Sequence, residues 1–97
     1  MTPPTGAPPV GALKQWLAIS TSDEDGLLAR LLGAAYETCG AFVGAALPGD
    51  WAAVPPALGE GILRFAAHLY RERDELKPTE PPASVVALWR PFREVRL

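Results

Sequence analysis

Apolar residues recur at three- and four-residue spacing along most of this chain, the period of an amphipathic helix. The longest stripe is Leu28, Leu31, Leu32, Ala35, Cys39, Phe42 and Val43, and it predicts a long helix over residues 22–44. Thr21 or Ser22 stands where a side chain can accept from the free amides of a helix start. Asp23, Glu24 and Asp25 place negative charge in the first turn, where the helix dipole favours it. Ser22 with Asp25 three residues on resembles a capping box. Gly33, Ala34, Gly40 and Ala41 lie near the stripe and predict the close approach of another helix there. The helix fades at Gly44, ahead of Pro48-Gly49.

Three further helices follow from the same period. Leu13, Trp16 and Leu17 give a short one over 10–18. Leu58, Ile62, Phe65, Ala66 and Leu69 give a second long one over 56–73, with Pro56 at the first helical position, where no amide hydrogen is needed. Val85, Val86, Leu88 and Trp89 give a short one over 83–90, stopped at Pro91. Between the two long helices, 47–55 reads as a loop with Trp51 as a plug over the core. Residues 77–82 form a second, proline-rich loop. The ending, 92–97, alternates apolar and polar residues as a strand does. A lone strand has no partner within a helical chain, so it reads as a segment that pairs with something else.

The expected fold is therefore all-α: a small bundle of about four helices, two of them long and antiparallel, with an extended C-terminal tail. The expected core includes Leu28, Leu31, Leu32, Ala35, Phe42, Leu58, Ile62, Phe65, Leu69 and Trp89. Three segments divide the chain. Residues 1–9, with four prolines and a glycine, read as a disordered arm. Residues 10–90 form the helical domain, and 91–97 the extended docking tail.

Composition narrows the function. Nine basic residues stand against eleven acidic ones, without the basic surplus of a nucleic-acid-binding domain. The charge is uneven: residues 1–50 carry two basic and five acidic side chains, whereas 90–97 hold Arg90, Arg93 and Arg96 against Glu94 alone. A helix-turn-helix wants a recognition helix rich in Arg, Lys, Gln or Asn; this chain has no Asn, one Gln and two Lys. No signal peptide and no membrane span is read, and the protein is expected to be soluble and made in the cytoplasm.

A search for chemistry finds no constellation. Cys39 lies in an apolar helical pattern and reads as a buried packing residue. His68 is the one histidine, and one Cys with one His does not match zinc spacing. Gly59-Glu60-Gly61 sits inside a helix pattern rather than after a strand, so it is no phosphate loop. Glu72 and Glu75 lie in a turn with Arg71 and Arg73 and read as a solvated surface. No catalytic, cofactor-binding or metal-binding residue is assigned, and no cofactor is expected.

The order of these features is nevertheless distinctive. Ile-Ser-Thr-Ser-Asp-Glu-Asp-Gly-Leu-Leu (19–28) precedes a helix with Leu-Leu-x-Ala-Ala-Tyr (31–36). Then come Ala-Ala-His-Leu-Tyr-Arg-Glu-Arg (66–73) and Val-x-Ala-Leu-Trp-Arg-Pro-Phe-Arg (85–93). This arrangement, over Val10 to Leu97, resembles the head–tail connector, or adaptor, family of long-tailed phages and gene-transfer particles. The family's usual Pro-Tyr-Arg ending is Pro-Phe-Arg here. The resemblance implies a non-enzymatic structural virion protein at the particle neck. It implies a ring of like copies, usually dodecameric, packed side by side through their long helices. Its partners would be the portal protein above and a tail-side adaptor or stopper below. It would have no membrane partner and would not bind nucleic acid sequence-specifically, though DNA would pass through the ring. The C-terminal segment would reach the portal, which points to Arg90, Phe92, Arg93, Val95, Arg96 and Leu97. The alternative is a small helical protein-interaction or DNA-binding regulatory domain.

Overall fold

The computed structural model describes residues 4, 6–44, 47–73 and 80–93. Four α-helices follow in order: α1 (Val10–Leu17), α2 (Asp25–Val43), α3 (Pro56–Arg71) and α4 (Ala83–Trp89). Short 3-10 turns occupy Trp51–Ala53 and Arg90–Phe92, and no strand occurs among the described residues. The small all-α bundle read from the sequence is the fold observed.

Helices α2 and α3 share the most extensive packing, with α1 laid across both and α4 against α3. The long pair is antiparallel, because Tyr70 at the end of α3 meets Glu24 at the start of α2. The core between them is apolar. Leu28, Leu32, Ala35, Cys39 and Val43 come from α2; Leu58, Ile62, Phe65, Ala66 and Ala67 from α3; Leu13 and Val85 from the short helices. Trp89 is fully buried. Leu31, Phe42 and Leu69, expected in the core, are half-buried and pack against its rim.

The start of α2 departs from expectation. The helix begins at Asp25, with Glu24 in the capping position and no side-chain cap; the capping box from Ser22 does not form. Instead the Ser22 carbonyl closes a turn by accepting from the Asp25 amide at 3.3 Å. Two of the three acids are taken by other helices. Lys14 Nζ lies 3.1 Å from Asp25 Oδ1, and the Tyr70 hydroxyl donates to Glu24 Oε1 at 2.5 Å. Tertiary partners have displaced the local cap.

The helix ends follow ordinary stereochemistry with one exception. Gly44 closes α2 at φ 72°, a left-handed conformation natural to glycine. Ala18 closes α1 in the same conformation, at φ 58°, where an L-residue is strained by about 1–2 kcal/mol. The Ile19 amide donates to the Lys14 carbonyl at 2.9 Å across that turn, so the bend that carries the chain into α2 is held in spite of the strain.

Candidate assembly interface

Two surfaces stand out, one on each flank of α2. The first begins at Trp89. Its indole Nε1 donates to the Leu58 carbonyl at 3.3 Å. The ring meets Phe65 edge-on, centroids 6.0 Å apart at 84°, and Phe42 at a tilt. This seat exists because residue 61 is glycine. A Cβ there would stand 2.8 Å from the indole Cδ1 and nearer still to Nε1. Directly after this anchor the chain is in the open: Arg90, Pro91, Phe92 and Arg93 are all exposed. Phe92 is 40 % exposed, one of two large apolar side chains so placed among the described residues. The Arg93 guanidinium lies 5.2 Å above the Phe42 ring, a position that fixes it to the α2 flank.

The strand pattern read over 92–97 is not what the described part adopts. Arg90–Phe92 make a 3-10 turn, because Pro91 tolerates a first-turn position and the helix simply tightens as it ends. Arg93 then turns extended, at φ −71° and ψ 128°. Val95, Arg96 and Leu97, named with Arg90, Phe92 and Arg93 as docking residues, lie outside the described residues.

The second surface is a cavity of about 500 Å³ on the other flank. Its floor is Ala29, Gly33 and Ala34 of α2, and Trp51, Pro4 and Pro8 form its wall. Arg30 and Glu37 stand at its edges. Trp51 is held in place by Tyr36, ring centroids 5.4 Å apart, and the Tyr36 hydroxyl donates to the Pro48 carbonyl at 2.6 Å. The Asp50 carboxylate accepts from the Ala52 amide at 3.0 Å and opens the 3-10 turn that carries the tryptophan. Gly6, at φ 84°, passes close to Asp50; a Cβ would stand 3.1 Å from its Oδ1. Trp51 is thus a plug over the core, as read from the sequence, and also the wall of a groove, which no local pattern revealed.

The small residues of α2 face differently from expectation. Among the described residues no helix covers Gly33, where an added Cβ would meet nothing within 4 Å, and Ala34 and Ala41 are exposed. A Cβ on Gly40 would instead meet the side chain of Leu47 at 3.6 Å. The close packing that these residues allow is left open on the outer face of the bundle.

The cysteine and the histidine sit in packing positions. Cys39 is buried, and burial pushes its thiol up to about 12, far from a nucleophile's range. His68 stacks on Phe65, centroids 6.5 Å apart. Among the described residues no group of three or more His, Cys, Asp or Glu side chains could hold a metal ion, and no helix is long and apolar enough to cross a membrane.

Comparison with known proteins agrees with this architecture. No curated protein and no solved structure matches the chain. The family described as phage gp6-like head-tail connector protein matches it over residues 10–86, from the first turn of α1 into α4. The match stops short of Trp89 and the segment beyond it. It spans most of the chain and carries a structural, non-enzymatic role at the phage neck: this protein belongs to the phage gp6-like head–tail connector family.

Proposed function

We propose that this protein forms a ring of like copies and joins the portal of a DNA-filled head to a tail-side component, using its C-terminal segment to reach the portal. It works without catalysis and without a cofactor. The observation that carries the portal contact is the junction at Trp89. A buried indole, seated on Gly61 and bonded to the Leu58 carbonyl, is followed within four residues by exposed Arg90, Phe92 and Arg93. A segment rooted so firmly and then released outward, with arginines and one large apolar side chain, suits insertion into a partner cleft that offers carboxylates. Arginine supplies the planar charge-assisted contacts that set orientation there.

Ring formation draws support from the open face of α2. A head-to-tail ring needs two different patches on each copy, and one flank of α2 carries the groove beside Trp51 while the other carries Arg93 over Phe42.

Deletion of Phe92 to Leu97 tests the portal contact. The truncated chain is expected to fold with little change in thermal unfolding and to lose binding to portal. Unchanged affinity for portal would move the contact to the bundle's surface and overturn this assignment.

A further inference from the structure

We infer that the turn carrying Trp51 is a recognition site for a proline-rich segment, and that its ligand is this chain's own N-terminal arm. Held there, residues 4 and 6–9 form a strap that must lift before a second copy can close on the outer face of α2. The recognition stands on the arm's own contacts; the guarding of α2 rests on the ring reading.

Trp51 lines two cavities, and prolines of the arm line both. Pro4 and Pro8 border the groove over Ala29, Gly33 and Ala34. Pro9 borders a smaller cavity of about 260 Å³ with Val54 and Leu63. Gly6 supplies the bend between Pro4 and Pro8. Its φ of 84° is natural to glycine, and a Cβ there would stand 3.1 Å from the Asp50 carboxylate that opens the Trp51 turn. Pro4 and Pro8 are both half-buried. Aromatic-lined grooves take proline-rich segments because proline rings are apolar and already rigid, so little freedom is lost on binding. Trp51 is such a platform, half-buried and braced by the Tyr36 ring at 5.4 Å.

The arm's grip is suited to release. Pro4, Pro8 and Pro9 have no amide hydrogen, and neither they nor Gly6 and Ala7 have a polar side chain, so apolar contact carries the binding. The inner end is fixed, because the Pro9 carbonyl accepts from the Leu13 amide of α1 at 3.1 Å. A lifted strap therefore stays tethered beside its site. While it is held, it walls the approach to Gly33 and Ala34. A helix ~10 Å across with a pitch of ~5.4 Å would exhaust the groove's volume of about 500 Å³ in roughly one turn. A copy packing a helix there at ~8–10 Å between axes needs the strap out of the way. Assembly is then tied to the population of the open form.

The experiment uses the full chain with Trp16→Phe, which leaves Trp51 and the fully buried Trp89 as fluorophores. It is compared with the same chain carrying Gly6→Val. A β-branched residue is strongly disfavoured at positive φ, and position 6 lies outside all four helices. The strap opens while the fold, checked by circular dichroism, is kept. Acrylamide quenching of the tryptophan emission is expected to rise in the Gly6→Val chain. A peptide of residues 2–9, Thr-Pro-Pro-Thr-Gly-Ala-Pro-Pro, is added at millimolar concentration to match a short tether. It is expected to lower the quenching again, and the same peptide with Gly6→Val is not. In sedimentation velocity the Gly6→Val chain is expected to assemble at about tenfold lower concentration, the factor by which strain at residue 6 shifts the strap. The peptide is expected to reverse that gain. Equal quenching of the two chains, or no protection by the peptide, overturns the recognition site. Quenching as expected with assembly unchanged overturns the guarding of α2 and leaves the ring reading standing. Chains that stay single copies even with purified portal, strap open or shut, overturn the ring reading and the guarding together, while the quenching still decides the recognition site.

Discussion

Gly61 and Trp89, twenty-eight positions apart, are fitted to each other so closely that a methyl group on residue 61 has no room beside the indole. A glycine inside α3 costs about 1 kcal/mol of helix propensity relative to alanine. That cost is outweighed by a buried tryptophan, which removes a large apolar surface from water.

Gly61→Ala is therefore expected to destabilise the fold although alanine is the better helix former. Overpacking costs about 1–3 kcal/mol, and displacing the indole strains its bond to the Leu58 carbonyl. A net loss of roughly 1–3 kcal/mol is expected, read from urea unfolding. Gly33→Ala is the contrasting case. It meets open space and should stabilise the fold by about 0.5–1 kcal/mol. Equal signs for the two variants would refute this account of the seat.

Phe65→Ala should cost about 3–5 kcal/mol, the range for a fully buried aromatic side chain. Leu31 sits at the rim, half-buried, so Leu31→Ala should cost clearly less, on the order of 1–2 kcal/mol. Chemical denaturation of both variants compares the two depths directly.

Ala18→Gly should stabilise the protein. Ala18 adopts φ 58° at the end of α1, and glycine removes about 1 kcal/mol of strain there while giving back part of it through a more flexible unfolded chain. A higher melting temperature is the expected reading; a lower one would mean that the turn is not strained.

Alkaline pH should weaken the fold. Burial holds the Cys39 thiol up at about 12, above its value in an unfolded chain. The Tyr70 phenol is also held up, first by its hydrogen bond to Glu24 and then by desolvation. Both groups keep their protons longer when folded. Their contribution is complete below the unfolded values and is lost as pH rises from about 9 through the folded ones. Cys39→Ala should lower stability at neutral pH yet flatten its decline above about pH 9. A decline of unchanged slope would show that the thiol plays no part in it.

Most of the fold is legible in the sequence because each helix carries its own apolar period, and period is a local property. Leu28, Leu32 and Cys39 on α2, like Ile62 and Phe65 on α3, are buried where their spacing places them. What spacing does not disclose is which distant residue a side chain chooses. Asp23, Glu24 and Asp25 look alike as charges at a helix start, yet Lys14 takes one and Tyr70 another. Gly61 gives a faint signal, a glycine in a helix interior without a turn to make, but its partner lies beyond a proline-rich loop. The groove wall is harder still. Trp51, Pro4 and Pro8 come from two segments without any helical period, and only tertiary structure puts them together beside Gly33.

The lock between Trp89 and α3 also has a mechanical meaning. A pull on Arg93 travels through a single 3-10 turn before it reaches an indole enclosed on all sides. The load cannot be relieved by peeling the chain end from the surface, because the root of the tether lies beneath Phe42 and against Phe65. Withdrawing it means opening the packing of α4 on α3, so the joint yields at the force that ruptures the core itself.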